Sequence, residues 1–292
     1  MALASDTNAT ELTAEQVAHV LVEPLAQKSV FLSACPNIID TAGPLRLPLG
    51  AAPTNPAWYG QNEQIVEVDP EFGELSLLPS TMKSVKVLTR FSNELARQSV
   101  VALDAALRTR LVTDVAGAID AQLLSAGGDG ITKPKGLFAY AGTQKLPVNG
   151  VLSLDPLLFA EGMALEAWAD PDGLAWVMRP RDFTNIRILK DVDRRYQLEP
   201  DPTRAGKFML FGHPVILSTR VPDTTEATPT ARVALVDFAQ IAVARDVAPS
   251  VKILDQTFGD FDQQAIRVTA RYDAGPLNPK AIVVLTGVKT NP

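Results

Sequence analysis

The sequence predicts an α+β protein in which one long helix packs on a sheet and a mixed α/β portion follows. Three observations carry that prediction. No proline occurs from Glu94 to Ala126, and Leu103, Leu107, Leu111, Val115, Ile119 and Leu123 recur at every fourth position, the spacing of one helical face. Short apolar runs bounded by Gly, Pro and Asp lie on both sides of that stretch, as strands do. Between residues 137 and 243, strand-like and helix-like segments are mixed.

The elements follow in chain order. Thr13-Ala14-Glu15-Gln16 is an N-cap candidate with an acid in the first turn, followed by Val17, Val20 and Leu21 on one face and interrupted at Pro24. From Ile38 to Pro56 the chain carries Pro44, Pro48, Pro53 and Pro56, which favours extended backbone. Residues 1–56 cannot bury a core alone, so an arm lying across other parts of the molecule or across a neighbour is expected. Residues 64–78 read as two strands: Ile65 to Val68, the turn-rich Asp69-Pro70-Glu71-Phe72-Gly73, and a return through Leu75-Ser76-Leu77. A lone hairpin is marginal in water, so this one should lie on something.

Ser84 to Thr89 alternates as a strand, and Ser92 or Asn93 caps the long helix, with Glu94 suited to its positive end. A helix over Glu94 to Ala126 at ~1.5 Å per residue is a rod of about 50 Å. The four-residue step drifts around the helix and lacks flanking heptad charges, so a helix on a sheet is expected over a coiled coil. Gly127-Gly128-Asp129-Gly130 stops it. Further helices are expected over Pro156 to Ala169 and Arg181 to Lys190. Strands are expected at Ala175 to Met178, after the Phe211-Gly212 turn, at Val233 to Val236, at Val251 to Leu254, at Ala265 to Tyr272 and at Ala281 to Leu285.

Composition narrows the function. The chain has 292 residues and a net charge of −6 from 27 basic and 33 acidic residues. Residues 1–82 hold only Lys28 and Arg46 as bases against ten acids, and the remainder is slightly basic. No block is basic enough for tight nucleic-acid binding, which needs clustered cations. The N-terminus lacks the pattern of a signal peptide, and no apolar run approaches the roughly 18 residues of a membrane helix. A soluble intracellular protein without membrane contact is expected.

Candidate chemistry is sparse. His19 and His213 have no partner at ligand spacing, so no metal site is expected. Cys35, the single cysteine, has no histidine in a suggestive context and reads as a structural thiol. The glycine cluster follows a helix, whereas a phosphate-cradling loop precedes one; no cofactor is expected. Asp170 with Asp172, and Asp260 with Asp262, are the acid pairs a hydrolase could use, but both sit in turns where Asp serves the backbone. Arg179, Arg181, Arg187, Lys190, Arg194 and Arg195 form the most cationic region, interspersed with Asp182, Asp191 and Asp193. Salt bridges to a neighbouring subunit's acids are at least as plausible there as nucleic acid.

An ordered series of motifs runs through the chain: the tryptophan and acidic segment from Trp58, then Phe91-Ser92-Asn93-Glu94-Leu95, then Asp120, then Pro134-Lys135-Gly136-Leu137. Trp176-Val177-Met178-Arg179-Pro180, Leu189-Lys190-Asp191, Phe211-Gly212-His213-Pro214-Val215, Asp237-Phe238 and Asn278-Pro279-Lys280-Ala281 follow. This series resembles the major capsid protein of tailed double-stranded-DNA bacteriophages, whose fold also occurs in encapsulin shells. The resemblance implies an N-terminal arm (1–48), an extended loop (49–82), a peripheral domain with a long spine helix (83–136 and 244–278) and an axial α/β domain (137–243 and 279–292).

It also implies a structural virion protein, not an enzyme, that self-assembles into pentamers and hexamers of an icosahedral capsid in the bacterial host cytoplasm. Its partners would be copies of itself, a portal, and separate scaffolding or decoration proteins, with packaged DNA touched weakly. The candidate interface residues are Trp58, Tyr59, Glu63, Glu67, Asp69, Glu71, Phe72 and Glu74 on the loop, and Arg179, Arg181, Arg187, Arg194 and Arg195. Trp58 and Phe72 are expected to anchor the loop on a neighbour. Some family members crosslink a loop lysine to a neighbour's asparagine; residues 47–82 contain no lysine, so no crosslink from this loop is expected. With 57 residues before Trp58, a separate scaffold or none is expected. The alternatives are an encapsulin-type nanocompartment shell and a hydrolase using an acid pair.

Overall fold

The computed structural model describes residues 29–49, 58–62, 64, 73–94, 103–198, 208–224 and 230–289. Two sheets share a core around one long helix. The first has the order β1 (Asn37–Asp40), β10 (Ile241–Phe258), β11 (Gln263–Pro276), β4 (Val85–Ser92). Its centre is the β10–β11 antiparallel pair, 18 and 14 residues long, well beyond the roughly 5–6 residues of an average strand. β10 begins well before the expected Val251–Leu254 and is carried through to it across a register shift between Val247 and Ser250. Pro249 lies in that irregularity, where a residue without an N–H is tolerated.

Helix α2 (Leu103–Leu123) packs on β11 and β4. Leu111, Val115, Ile119 and Leu123, members of the four-residue stripe, are buried against Phe91, Ile266, Val268 and Ala270. The helix stops three residues before Ala126. Phe91 and Ser92 close β4, and helical backbone begins at Asn93; the expected span through residues 95–102 lies outside the described residues.

The second sheet has the order β5 (Gln144–Pro147), β12 (Ile282–Lys289), β9 (Thr230–Asp237), β6 (Leu174–Met178), β8 (His213–Leu217), β7 (Met209–Leu210). All five residues of β6 are buried, the continuous apolar pattern of a strand covered on both faces. On one face Trp176, Met178, Leu235 and Val283 meet α3 (Leu154–Glu166) and α4 (Pro180–Arg187) through Leu157, Ala160, Phe183 and Ile186. On the other face Ala175, Val177, Ala234, Val236 and Ile282 join the core under α2. Pro180 opens α4 at its first turn, where its missing N–H costs nothing.

The partner of the strand at residues 73–77 differs from the expected one. β3 (Gly73–Leu77) pairs antiparallel with β2 (Leu45–Leu49), inside the proline-rich stretch. Leucines alternate at 45, 47 and 49, and in a two-stranded ribbon both strands are edges, so Pro48 is accommodated. Ile65 to Val68 lies outside the described residues. The ribbon lies on the first sheet, where Leu77, Leu78 and Met82 cluster with Ala242 and Ala244.

Candidate assembly interface

The segments expected to reach a neighbour are rooted by buried carboxylates. Short helix α1 (Val30–Ala34) is held at its start by Asp120 of α2, which accepts from the Ser29 hydroxyl at 2.6 Å, Val30 N at 2.8 Å and Phe31 N at 3.3 Å. Phe31 then buries its ring edge-on to Phe238 at 5.8 Å. β1 continues as a parallel edge strand on β10, and Arg245 clamps Asp40 with two nitrogens. Burial raises the Asp120 carboxyl pKa against the opposing pull of Ser29, the two amides and Arg220. The site trades desolvation for the Ser29 hydroxyl and two backbone amides that a helix start would otherwise leave unpaired.

The loop root repeats the device. Leu78 has a left-handed backbone (φ 51°) and donates its N–H to buried Asp273 at 2.8 Å. Asp273 also accepts from Ala274 N, and burial raises its pKa. Arg271 bridges Asp246 at 2.8 Å and donates to the Pro79 carbonyl at 2.7 Å. At Gly275 a Cβ would stand 2.8 Å from the Leu75 side chain, so glycine lets β3 settle on β11.

In the second sheet, fully buried Asp237 accepts from Asp170 N at 3.1 Å and Ala239 N at 3.0 Å. A Cβ on Gly173 would fall 2.5 Å from its Oδ1. This carboxylate fixes the turn that feeds β6. Asp170 and Asp172 are exposed, and the Asp170 side chain caps Asp172 N at 3.1 Å. Asp262 accepts from the Asn93 amide at 2.6 Å in a left-handed turn between β10 and β11. The Asp170 side chain thus serves its own turn, as its sequence context implies, whereas that of Asp262 holds Asn93 at the end of β4. Cys35 is buried, and its thiol pKa is pushed up to about 12 by desolvation. His213 is buried beside Glu161 at 3.4 Å.

The cationic cluster divides. Arg179 and Arg181 both reach Asp223 of the same chain, at 2.7 and 2.9 Å. Arg187, Lys190, Arg194 and Arg195 are exposed. A small hairpin, closed by the Lys190–Tyr196 bridge and by Asp191 accepting from Asp193 N and Arg195 N, presents the last three. Trp58 is fully exposed and Tyr59 partly so. Glu74 pairs with Arg46 at 3.3 Å in the ribbon. Glu63, Glu67, Asp69, Glu71 and Phe72 lie outside the described residues. Sequence reasoning missed the roles of Asp273 and Gly275; the signal, a small residue two positions after an Asp in an apolar strand, is faint.

Among the described residues, no group of three or more His, Cys, Asp or Glu side chains is placed to hold a metal ion. No described helix is long and apolar enough to cross a membrane. The arrangement is one of a shared core with rooted projections. The sequence matches the family described as "Phage capsid family" over residues 11–287, and the chain belongs to that family. It is a structural, non-enzymatic protein of a capsid shell.

Solved structures share the fold. A chain from the capsid of a native GTA particle, computed with C5 symmetry, superposes with a TM-score of 0.73 at 17% identity, covering 97% of this chain and 99% of that one. A chain from Mycobacterium phage Adephagia gives 0.72 at 19% identity over 99% and 100%. One from Microbacterium phage Oxtober96 gives 0.71 at 15% over 96% and 97%. No curated protein sequence is significantly similar.

Proposed function

We propose that copies of this chain assemble into pentamers and hexamers of an icosahedral shell that encloses a double-stranded DNA genome, built in the cytoplasm of a bacterial host. The carrying observation is the loop root: a ribbon pinned by Asp273 and Gly275 leads toward a segment on which Trp58 is 102% exposed. In this reading residues 1–48 are an arm, 49–82 the extended loop, 83–136 with 244–278 a peripheral domain, and 137–243 with 279–292 an axial domain. The 243/244 boundary falls within β10, so the two domains share that strand. A portal and separate scaffolding or decoration proteins complete the particle, and DNA is touched weakly, in keeping with the absence of a strongly basic sequence block.

Negative-stain microscopy of the purified protein, alone and with its scaffold, is expected to show closed shells or capsomer rings. A denaturing gel of mature shells is expected to show free monomer. Protein that stays monomeric with its scaffold overturns the proposal, and a covalent ladder overturns the absence of a loop crosslink.

Trp58 and Phe72, with the loop acids Glu63, Glu67, Asp69 and Glu71, form the part of the loop that covers a neighbour, while Arg187, Arg194 and Arg195 remain open to pair with acids of another copy. Aromatic anchors dominate such contacts. Trp58→Ala is expected to lower shell yield at least ~10-fold with the monomer's melting temperature unchanged. Wild-type yield from Trp58→Ala would remove Trp58 as an anchor.

A further inference from the structure

Trp168 is in an unusual position. Helix α3 ends with Trp168 N donating to the Leu165 carbonyl at 3.0 Å and Ala169 N to the Ala164 carbonyl at 3.2 Å. That closure places residue 168 in the left-handed region, φ 62°, where glycine is the usual occupant because a Cβ is penalised. Here the occupant is the largest side chain of all, and it is 90% exposed. Backbone strain and solvent-exposed aromatic surface are both unfavourable in the isolated chain, and strain of this kind marks functional positions. Along the same helix Leu158, Phe159 and Leu165 are also exposed. Leu158 and Leu165 are two turns apart and share a face. Glu166 and Asp172, two before and four after Trp168 in the chain, are exposed acids.

The complement is on the same molecule. The 190–196 hairpin presents Val192, 101% exposed, with Ile188 and Tyr196 also exposed. Lys190 lies over the Tyr196 ring at 4.8 Å; with exposed Arg187, Arg194 and Arg195 it outnumbers the exposed Asp191 and Asp193, of which Asp191 is engaged by the Asp193 and Arg195 amides. α3 lies over β5, β12 and β9. The segment before the hairpin packs on the same face toward the opposite edge of the sheet, with Phe183 against Phe208, next to edge strand β7, at 5.2 Å. An acidic apolar patch and a basic apolar patch thus occupy different parts of one layer. A surface that complements another surface of the same chain makes heterologous, head-to-tail contacts, which form rings where the rotation between copies closes, and opposite charge sets their register.

We propose that Trp168 and the outer face of α3 dock onto the 188–196 hairpin of the next copy, and that this contact joins neighbours around each ring. The proposal rests on the shell-forming reading and adds the two surfaces through which the copies meet.

The test uses full-length protein under the conditions in which wild type forms shells. Trp168→Gly relieves the left-handed strain, so the monomer's melting temperature is expected to stay level or rise while shell yield falls at least ~10-fold. Trp168→Cys/Val192→Cys, treated with a short bis-maleimide, is expected to give a ladder of multimers on a denaturing gel; Cys35 is buried. Neither single variant should give one. Wild-type shell yield from Trp168→Gly, a lowered monomer melting temperature, dimers from Trp168→Cys alone, or no ladder from the double variant each overturn the docking. Wild type that forms no shells with its scaffold overturns the shell reading beneath it.

Discussion

Asp120→Ala is expected to destabilise the protein by about 2–4 kcal/mol and to release the segment that begins at Ser29. Three donors, the Ser29 hydroxyl and the Val30 and Phe31 amides, converge on this one carboxylate. Alanine leaves them without an acceptor in a site where Asp120 is only 3% exposed. The chain escapes that penalty by undocking α1, which in turn exposes Phe31, a loss of about 1.5–3 kcal/mol of apolar burial. The two routes compete, so the cost is set by the cheaper one and is not their sum. Denaturant unfolding measures the loss, and amide exchange at Val30 and Phe31 locates it. An unchanged midpoint together with unchanged exchange would show that the carboxylate does not hold the arm.

The same residue gives a pH dependence with a definite sign. Burial raises the Asp120 pKa above its ordinary value, and the same holds for Asp273 and Asp182. A carboxyl with a raised native pKa binds its proton more tightly folded than unfolded. Its contribution is therefore full below the unfolded value, near ~3.9, and is lost as pH rises through the native one. Global stability should therefore fall as pH rises through that raised native value, although the three α1 donors pull the other way and favour the ionised carboxylate. Asp120→Asn, which cannot ionise, is expected to flatten that dependence.

Much of this architecture is readable from residue patterns because it depends on periodicity. The stripe ending at Leu111, Val115, Ile119 and Leu123 predicts a helix buried on one side, and that side faces β11 and β4. The apolar run around Trp176 predicts a covered strand. What escapes the pattern depends on partners far away in sequence or on the exact residue where an element stops. β2 hides among prolines because its partner begins at Gly73. β10 hides behind Pro249 because a register shift absorbs that residue. Asp120 is visible as a motif residue, yet its partners lie some ninety positions upstream. Trp168 counts as one more apolar residue of α3 until the helix is seen to end just before it. Only then does its left-handed backbone become a fact to explain.

Gly136→Ala is expected to destabilise the fold by about 3 kcal/mol or more, the larger of the two single-residue effects relative to the atoms changed. The backbone at Gly136 is ordinary extended chain, φ −81° and ψ 163°, so its requirement for glycine does not come from torsion. A Cβ there would stand 2.1 Å from the Ser125 carbonyl oxygen and 2.6 Å from its carbon. Both are backbone atoms, so no side-chain rotation relieves the clash. The two segments are also tied, since Gly136 N donates to the Gly127 carbonyl at 2.9 Å and Phe138 N to the Ser125 carbonyl at 3.2 Å. Separating them breaks these bonds and lifts Leu137, fully buried in the shared core, from its place. The close approach binds the end of α2 to the chain entering the second sheet. Gly127→Ala is the control: its Cβ would meet nothing within 4 Å, and its effect should stay within about 0.5–1 kcal/mol. Equal losses at the two positions in denaturant unfolding would mean that backbone freedom, and not the contact with Ser125, is what glycine supplies at this junction.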